Sequence, residues 1–359
     1  MIARSSTSQV EGPLDCVRVV LLLLLFLVVP ACSPAKRSAD AIASRDLVYV
    51  NEDSTRGEYG HRVRMLLNGE RFDRLDAMAD SLGRTGGHWP SGRPLLDSFF
   101  DRGFGEVDDE KSADAWEAHL LRLRQWTEVR PESYAARYAL AEGLVGRAWA
   151  ARGEDWASKV SRSKWRRFED DLSEAGQMLR QMPAPAQDTY EWRIAMMQVL
   201  HGMQEDSLYR ALAFSTLRRY PAEPRLYANI AIHLMPRWYG SAGEWEAFAN
   251  DATASLPDSI SDEFYARIVT SQSRYAQNVF RESRGLSWPR TKRGLLAWRR
   301  RWPASTQPLS AAALLGWMAG DRDFSRASFE SLRDTFDVEI WWWMPPYSEA
   351  RKWAMQKGS

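Results

Sequence analysis

The chain has 359 residues, with 48 Lys and Arg against 47 Asp and Glu, so that its formal net charge is +1, and 45% of its residues are hydrophobic. Balanced charge excludes the basic surface of a general nucleic-acid-binding protein, and the apolar content excludes a wholly disordered chain. Two cysteines and five histidines without metal-ligand spacing exclude a disulfide framework and a zinc site, so we expect a folded protein that needs no metal or cofactor and has no nucleic-acid partner.

The first element in chain order is Val19–Val29, an uninterrupted apolar run that follows Arg18. A transmembrane helix needs roughly 17 to 25 apolar residues, whereas a secretory signal needs about 7 to 15, so the length of this run favours export. The segment Val-Pro-Ala-Cys that ends at Cys32 resembles the lipobox of bacterial lipoproteins, in which the cysteine thiol accepts diacylglycerol. This resemblance implies a lipoprotein-type signal peptide over residues 1–31 and lipidation of Cys32.

Two alternatives remain open for this segment. An ordinary cleaved signal peptide would leave Cys32 without a lipid, and a translation start near Val17 would explain the acidic Glu11 and Asp15 in the leader. If Cys32 is acylated, the lipid anchors the protein to a membrane. Ser33 after the cysteine implies, as in proteobacterial lipoproteins, an outer-membrane lipoprotein that faces the periplasm.

Residues 32–44 are small and polar, which predicts a flexible tether between the lipid and the folded domain. Beyond the tether, strand-like alternation is confined to Leu47–Val50 and Val338–Trp342, and the apolar spacing is otherwise helical. Over residues 112–129, for example, apolar side chains recur every three or four positions while charged residues take the other faces. The spacing predicts about a dozen helices and an all-α fold for residues 45–356. The predicted helix ends are Gly83, Arg130-Pro131, Gly153, Pro183, Pro221, Pro257 and Pro303.

Three of these ends share one pattern, in which a helix with a bulky last residue is followed by a proline turn and an alanine-bearing helix. The turns hold Pro131, Pro221 and Pro303, which are 90 and 82 residues apart. These separations are about twice the 34 to 47 residues of common helical-hairpin repeats. The segment that begins at Gly320-Asp321 resembles the second half of a tetratricopeptide (TPR) hairpin. Together these features predict TPR-like antiparallel helical hairpins stacked as an α-solenoid, with an irregular helical bundle as the alternative.

A longer stretch, MPRWYGSAGEWEAFA at residues 235–249, resembles the signature of an uncharacterised bacterial family of TPR-like helical proteins, a domain of unknown function. Further segments agree in the same order: RFDRLDAMADSL before a WPSG turn, AWAARGEDWASKV, and a closing Ala-Gly-Asp hairpin with Trp353 near the chain end. The resemblance covers most of residues 58–356. It implies a fold, and it implies no catalytic or binding residues.

Common catalytic motifs are absent from the sequence, which has no phosphate-binding loop, nucleophile elbow, zinc-protease motif or dinucleotide fingerprint. We therefore expect a protein that is not an enzyme. His201 and His233 lie among apolar neighbours in predicted helices and are expected to be structural. The acidic residues at 170–171 and at 108–110 are candidates for acid–base chemistry, with solvated surface residues as the alternative.

The chain is rich in aromatic residues, with 17 Trp, 12 Tyr and 13 Phe, and most of them are expected in the core. Arg237, Trp238, Tyr239 and Ser241 instead follow Pro236 in a turn, where a guanidinium group and two aromatic rings can stack on a peptide or a sugar ring. These four residues are the predicted binding site. The alternative is structural: Trp238 fills the junction between hairpins, and Arg237 hydrogen-bonds carbonyl groups at a helix end.

Three adjacent tryptophans at residues 341–343 pose a similar question, because three neighbours cannot share one helix face. At least one of the three indole rings is therefore expected to point away from the local core. That ring is expected to cap the end of the helical stack, to cover the neighbouring hairpin, or to form a partner surface.

These observations favour a membrane-anchored helical-repeat lipoprotein of the bacterial cell envelope that binds another envelope protein or a peptide, because repeat stacks present long concave surfaces. The alternative is an all-α glycan-binding or glycan-cleaving envelope protein. That alternative predicts a tryptophan-lined groove with two carboxylates about 5 to 9.5 Å apart.

Overall fold

The described part of the chain is almost entirely helical. The computed structural model describes residues 48–153, 159–341 and 347–356; the predicted signal peptide, Cys32 and the predicted tether lie outside them. The all-α prediction is confirmed, because the sheet in these ranges has two strands of three residues each, β1 (Val48–Val50) and β2 (Thr335–Asp337). No helix in these ranges is both long enough and apolar enough to cross a bilayer. The helices are α1 (Glu52–Asn68), α2 (Phe72–Thr85), α3 (Leu95–Phe104), α4 (Ala113–Val129), α5 (Tyr134–Arg152), α6 (Arg162–Arg180), α7 (Ala184–Gln187), α8 (Tyr190–Gly202), α9 (Asp206–Arg219), α10 (Pro224–His233), α11 (Glu244–Ala254), α12 (Asp258–Gln272), α13 (Val279–Glu282), α14 (Trp288–Arg301), α15 (Gln307–Ala319), α16 (Arg322–Leu332), α17 (Val338–Trp341) and α18 (Tyr347–Met355).

Helix starts follow the capping chemistry that the sequence contains. The hydroxyl group of Ser112 accepts a hydrogen bond from the backbone amide of Ala115 at 3.1 Å, so α4 begins where the apolar stripe begins. A cap of this kind satisfies one of the amides that have no partner within the helix. The same arrangement starts α5, α8 and α16, at Ser133, Thr189 and Asp321.

Two local expectations are wrong. The second helix continues through the predicted stop at Gly83 and ends at Gly86, whose left-handed φ of 61° is readily adopted only by glycine. The segment Val338–Trp342 is not a strand, since its described part forms the short helix α17. The carboxylate of Asp337 accepts a hydrogen bond from the amide of Glu339 at 3.1 Å and thereby starts this helix directly after β2.

The three proline turns share one backbone conformation. The residues before the prolines, Arg130, Tyr220 and Trp302, have φ and ψ angles of −127° and 66°, −124° and 59°, and −126° and 65°. A proline disfavours the α conformation in the residue before it, so each preceding helix stops at the same step. The repeat that the sequence contains therefore corresponds to a repeated local structure.

Successive helices pack closely through small residues. In chain order, α4 packs on α5, α5 on α6, α12 on α14, and α15 on α16. Ala139, Ala231 and Ala313 are fully buried and leave room for neighbouring helices. At Gly294 of α14 the approach is so close that a Cβ atom would lie 1.9 Å from the carbonyl oxygen of Asp262 on α12. These contacts build one continuous core.

The N-terminal and C-terminal parts of the described chain also contact each other. The two strands pair in parallel, with Tyr49 opposite Phe336. The buried guanidinium group of Arg56 lies 3.6 Å from the Glu339 carboxylate, and Arg267 donates a hydrogen bond to the carbonyl oxygen of Ser91 at 3.2 Å. A simple stack of hairpins would leave its two ends apart, so this joining of the ends is a feature that the repeat pattern did not predict.

Candidate functional site

The predicted binding residues lie in the turn that follows α10. Backbone amides of this turn return to the end of the helix: Trp238 donates to the carbonyl oxygen of Met235 at 2.9 Å, and Tyr239 to that of His233 at 3.2 Å. At Gly240 a Cβ atom would lie 1.9 Å from the carbonyl oxygen of Leu234, so only glycine fits there. The turn is therefore compact, and its backbone conformation requires glycine at position 240.

Two histidines, the buried His233 and the half-buried His201, pack against this turn. The Nδ1 atoms of His201 and His233 lie 2.9 Å apart, and Nε2 of His233 lies 2.9 Å from the Asp206 carboxylate. The ring of Tyr209 stacks on His233 with centroids 3.5 Å apart, and the hydroxyl group of Tyr239 donates to the carbonyl oxygen of His201 at 2.6 Å. The expectation of structural histidines fits this geometry, although the sequence did not reveal that the two are partners.

Burial keeps both imidazole groups neutral near pH 7. Burial, with a smaller contribution from the neighbouring His233, lowers the pKa of His201 to about 4. Burial also lowers the pKa of His233, against the opposing effect of the Asp206 carboxylate. A neutral pair can share one hydrogen bond between its Nδ1 atoms, because one ring donates and the other accepts.

A charged cluster holds the other side of the turn. The guanidinium group of Arg210 contacts the carboxylates of Asp206 and Glu244 and donates to the carbonyl oxygen of Tyr239 at 3.2 Å. The backbone amide of Ser241 donates to Glu244 at 2.8 Å. Arg210 thus bonds a carbonyl group of the turn, whereas no hydrogen bond from Arg237 to a helix-end carbonyl group, as the structural alternative expected, is present among the described residues.

The turn forms one wall of a pocket of about 240 Å³, here called the aromatic pocket. Trp238 lies between two helices, with its ring centroid 6.1 Å from that of Trp149 on α5 and 4.8 Å from that of His201 on α8. Trp238 therefore occupies a junction between hairpins and also lines a cavity. The aromatic pocket is defined by Trp149, Trp165, Phe168, Trp238 and Tyr239, together with Arg152 and Arg237.

Arg237 is the exposed charged group of the predicted site. Its guanidinium carbon lies 5.9 Å from the ring centroid of Trp238 and 5.2 Å from that of Tyr275. Among the described residues it has these ring contacts and neither an ion pair nor a hydrogen bond. Three of the four predicted residues thus line the pocket, while Ser241 lies outside its wall. Whether they bind a ligand stays a prediction.

A second cavity, of about 520 Å³, lies at the opposite ends of the same helices. Four tyrosines and two glutamates from the first turns of α5 and α8 and from the turn before α10 define this tyrosine pocket. The defining residues are Tyr134, Tyr138, Tyr190, Glu191, Tyr220 and Glu223. They belong to none of the candidate sites predicted from the sequence. Glu191 and Glu223 are 32 residues apart, as are His201 and His233, so a search for pairs one hairpin repeat apart would have found both.

The acidic clusters that the sequence suggested for acid–base chemistry lie elsewhere. The buried Asp171 accepts two hydrogen bonds from Arg147, at 2.9 and 2.7 Å, and thereby joins α5 to α6. Asp108 is paired with Arg64 at 2.7 Å and lies 3.2 Å from His61. Ion-paired carboxylates of this kind hold packed helices together. Neither Asp171 nor Asp108 lines the aromatic pocket or the tyrosine pocket.

Two further sequence predictions concern tryptophans and metals. Trp341 is buried against Phe329 and Tyr347, as expected for a residue that covers the end of the helical stack. Trp342 and Trp343 lie outside the described residues. Within the described ranges, no group of three His, Cys, Asp or Glu side chains is placed to hold a metal ion.

The fold and the site together define an all-α protein of packed helical hairpins with an aromatic pocket open to solvent. Residues 61–173 match the model of a family described as "Domain of unknown function (DUF4034)". The match supports the inferred resemblance to an uncharacterised family, and it indicates no enzymatic family. No curated protein and no solved structure matches the chain. The matched range supplies Trp149, Arg152, Trp165 and Phe168 to the aromatic pocket and ends before the 235–241 turn.

Proposed function

We propose that this protein is a non-enzymatic binding scaffold of the bacterial cell envelope, built from TPR-like hairpins, that captures a peptide segment of another envelope protein in the aromatic pocket. The observation that carries the proposal is the exposed guanidinium group of Arg237, which has no carboxylate partner among the described residues. It stands beside a wall of aromatic rings. A ligand that offers a carboxylate next to an apolar group would complete this arrangement.

The dimensions of the pocket narrow the class of ligand. A volume of about 240 Å³ is smaller than the roughly 300 to 1,000 Å³ of typical small-molecule sites, and it suits one side chain. The rings of Trp149 and Trp238 stand nearly perpendicular, with an angle of 86° between their planes, and so form a corner rather than a flat platform. A peptide that ends in Leu or Phe would place its side chain in this corner and its terminal carboxylate at Arg237.

The proposed attachment to the membrane depends on the predicted signal peptide and on Cys32. A lipid on Cys32 and the tether at residues 32–44 would hold the folded domain near the periplasmic face of the outer membrane. Replacing Cys32 with Ser is expected to move the protein from the membrane fraction to the soluble fraction of disrupted cells. A C32S protein that still sediments with membranes would contradict the lipid anchor.

Glycan binding remains the second candidate, because indole faces also stack on sugar rings. The observation that favours it is the number of aromatic side chains in the pocket. No carboxylate among the described residues lines the aromatic pocket, so this candidate concerns glycan binding there.

Tryptophan fluorescence titration separates these candidates. The probes are short peptides ending in Leu or Phe with a free carboxylate, the same peptides with amidated ends, and a chito-oligosaccharide. We expect the free-carboxylate peptides to bind at least tenfold more tightly than the amidated ones. Binding of the oligosaccharide alone would favour the glycan candidate, and equal binding of free and amidated peptides would contradict the role of Arg237.

Two variants complete this experiment. Arg237→Ala is expected to remove the preference for a free carboxylate. The matched control is Arg218→Ala, which removes an exposed arginine of α9 that also has no ion-pair partner among the described residues and does not line the pocket. If R218A weakens peptide binding as much as R237A does, the attraction is a general effect of charge.

A further inference from the structure

We propose that the tyrosine pocket is a binding site for an organic cation, specifically an ammonium group on an alkyl chain. The site lies at the opposite helix ends from the aromatic pocket and does not rest on the function proposed above. Its volume of about 520 Å³ is within the range of small-ligand sites, roughly 300 to 1,000 Å³. Two sources can supply such a group: a free polyamine, or a lysine side chain of a peptide.

The walls of the pocket are aromatic and held in place. The hydroxyl group of Tyr138 donates to the carbonyl oxygen of Ala186 at 2.8 Å, and that of Tyr220 donates to the carbonyl oxygen of Asp188 at 2.9 Å. The rings of Tyr190 and Tyr220 pack edge to face with centroids 5.4 Å apart. Ring faces fixed in this way attract a cation through their π electrons without further ordering of the protein.

The two carboxylates in the pocket have no cationic partner. The described residues provide neither Glu191 nor Glu223 with an ion pair. The nearby guanidinium group of Arg225 is already engaged with Asp97 at 3.1 Å and with Asp101 at 3.7 Å. Two unpaired carboxylates within one aromatic cavity are therefore available to accept hydrogen bonds from an ammonium group.

A third acceptor is the hydroxyl group of Tyr190. Its oxygen atom is buried and has no hydrogen-bond partner among the described residues. Buried hydroxyl groups without a partner are rare, because losing water without gaining a hydrogen bond costs free energy. The oxygen atom is shielded from the open cavity, so an ammonium group gains this acceptor when the Tyr190 side chain turns towards the ligand, in addition to the carboxylates of Glu191 and Glu223.

The pKa values of Glu191 and Glu223 agree with a cation-binding role for this pocket. Burial, with smaller contributions from the nearby Asp97 and Glu191 carboxylates, raises the pKa of Glu223 to about 7. Burial also raises the pKa of Glu191, with a smaller contribution from Asp97. A bound ammonium group would reverse both effects, since a nearby positive charge favours the ionised carboxylate.

Helix ends provide a competing explanation for the two glutamates. Four helix N-termini, those of α3, α5, α8 and α10, meet at this pocket, and their partial positive charge alone would favour an anion there. Glu191 and Glu223 oppose that field with full negative charges. The helix ends do not explain the four tyrosine walls or the unpaired hydroxyl group of Tyr190, and the anion is therefore an outcome for the test to exclude.

The lining also contains Asp80 and the exposed groups Arg84 and His88. Arg84 carries one positive charge against the three carboxylates of Asp80, Glu191 and Glu223. With Asp97 neutralised by Arg225, the lining has an excess of negative charge. This balance favours a cation over an anion as the ligand.

Isothermal titration calorimetry with four probes tests the proposal. The probes are 1,5-diaminopentane, spermidine, N-acetyl-lysine methylamide and inorganic phosphate, each at pH 6 and pH 8. We expect the amines to bind about tenfold more tightly at pH 8, because a carboxyl group with a pKa near 7 changes from about one tenth to about nine tenths ionised. Tighter binding of the two free amines identifies a polyamine site, and tighter binding of the lysine derivative identifies a peptide site.

Three variants make the result specific. Glu223→Gln is expected to weaken amine binding at least tenfold at pH 8 and to abolish its pH dependence, and Tyr190→Phe is expected to weaken binding severalfold. Glu128→Gln removes an exposed carboxylate of α4 outside the pocket and should change nothing. The proposal is overturned if no amine binds at millimolar concentration at pH 8, if E223Q binds as well as the parent protein, or if phosphate binds instead.

Discussion

The two pockets lie at opposite ends of the same helices and have opposite charge. The first turns of α5 and α8 and the residue before α10 form the tyrosine pocket, with Glu191 and Glu223. The last turn of α5, the end of α8 and the turn after α10 form the aromatic pocket, with Arg152 and Arg237. Both sets of charges complement the helix macrodipoles, which are positive at the N-terminus and negative at the C-terminus.

This comparison shows how one repeated architecture can produce two different binding surfaces. The helices α5, α8 and α10 all begin at the tyrosine pocket and end at the aromatic pocket, so the acidic residues at their starts and the basic residues at or after their ends lie in different pockets. Aromatic residues then determine the shape, with tyrosines and their hydroxyl groups at one end and mainly tryptophans at the other. A substitution in one pocket can therefore be compared with the other pocket as an internal reference.

The largest effect is expected from Gly240→Ala in the turn after α10. The added Cβ atom would lie 1.9 Å from the carbonyl oxygen of Leu234, and neither backbone segment can move without breaking the turn. We expect a loss of about 3 to 4 kcal/mol in the free energy of unfolding. Urea denaturation measures this loss.

The control for this variant is Gly57→Ala in α1, where the added Cβ atom meets nothing within 4 Å. That change should stabilise the protein slightly, by about 0.5 to 1 kcal/mol, because alanine favours a helix more than glycine does. Amine binding to the tyrosine pocket should survive in G240A at low temperature. A G240A protein as stable as the parent would show that the turn is not the rigid wall described above.

The second prediction concerns the loss of local stability at low pH. The pKa of His201 is lowered to about 4 by burial, so the unfolded chain binds a proton at higher pH than the folded protein does. The contribution of neutral His201 to the free energy of unfolding at the aromatic pocket is therefore present near pH 7 and is lost as the pH falls from about 6.5 towards 4. The expected loss is about 1 to 2 kcal/mol at pH 5. Hydrogen exchange of residues 235–241 at pH 7 and pH 5, corrected for intrinsic rates, measures the local loss.

A matched histidine variant separates this local effect from a global one. Burial also lowers the pKa of His119 to about 4, and that residue bonds the carbonyl oxygen of Phe104, away from the turn. His201→Gln should reduce the pH dependence of exchange at residues 235–241, whereas His119→Gln should leave it unchanged. Equal effects of the two variants would contradict a local origin.

The third prediction has the opposite sign and concerns the tyrosine pocket. Because the pKa of Glu223 is raised to about 7, its ionisation weakens the folded protein as the pH rises from about 4.5 to 7. Glu223→Gln should therefore be more stable than the parent by about 1 kcal/mol at pH 8 and equal to it near pH 4. Denaturation curves at the two pH values test this, and a variant that is less stable at pH 8 would show that the carboxylate has a favourable partner.

The sequence predicted those parts of the molecule that depend on local chemistry. The amphipathic helix over residues 112–129 and the three helix ends at proline turns were predicted because each needs only its near neighbours. The pair of His201 and His233 depends instead on how hairpins stack, and a local apolar pattern does not contain that information. The tyrosine pocket was missed for the same reason, since its residues come from three helix starts spread over about 90 positions. Joining of β1 to β2 depends on contacts between the ends of the chain, which no local signal reports.

The smallest effect on stability is expected for Arg237→Ala. Its side chain is exposed and, within the described part of the chain, has only ring contacts at 5.2 and 5.9 Å, so its removal should change the free energy of unfolding by less than about 0.5 kcal/mol. Trp238→Ala, in contrast, removes a ring packed against Trp149 and His201 and should cost about 2 kcal/mol. Thermal denaturation beside peptide titration checks both values. A binding role requires that R237A lose peptide affinity while it keeps its melting temperature; if both fall together, Arg237 acts as a structural residue of the turn.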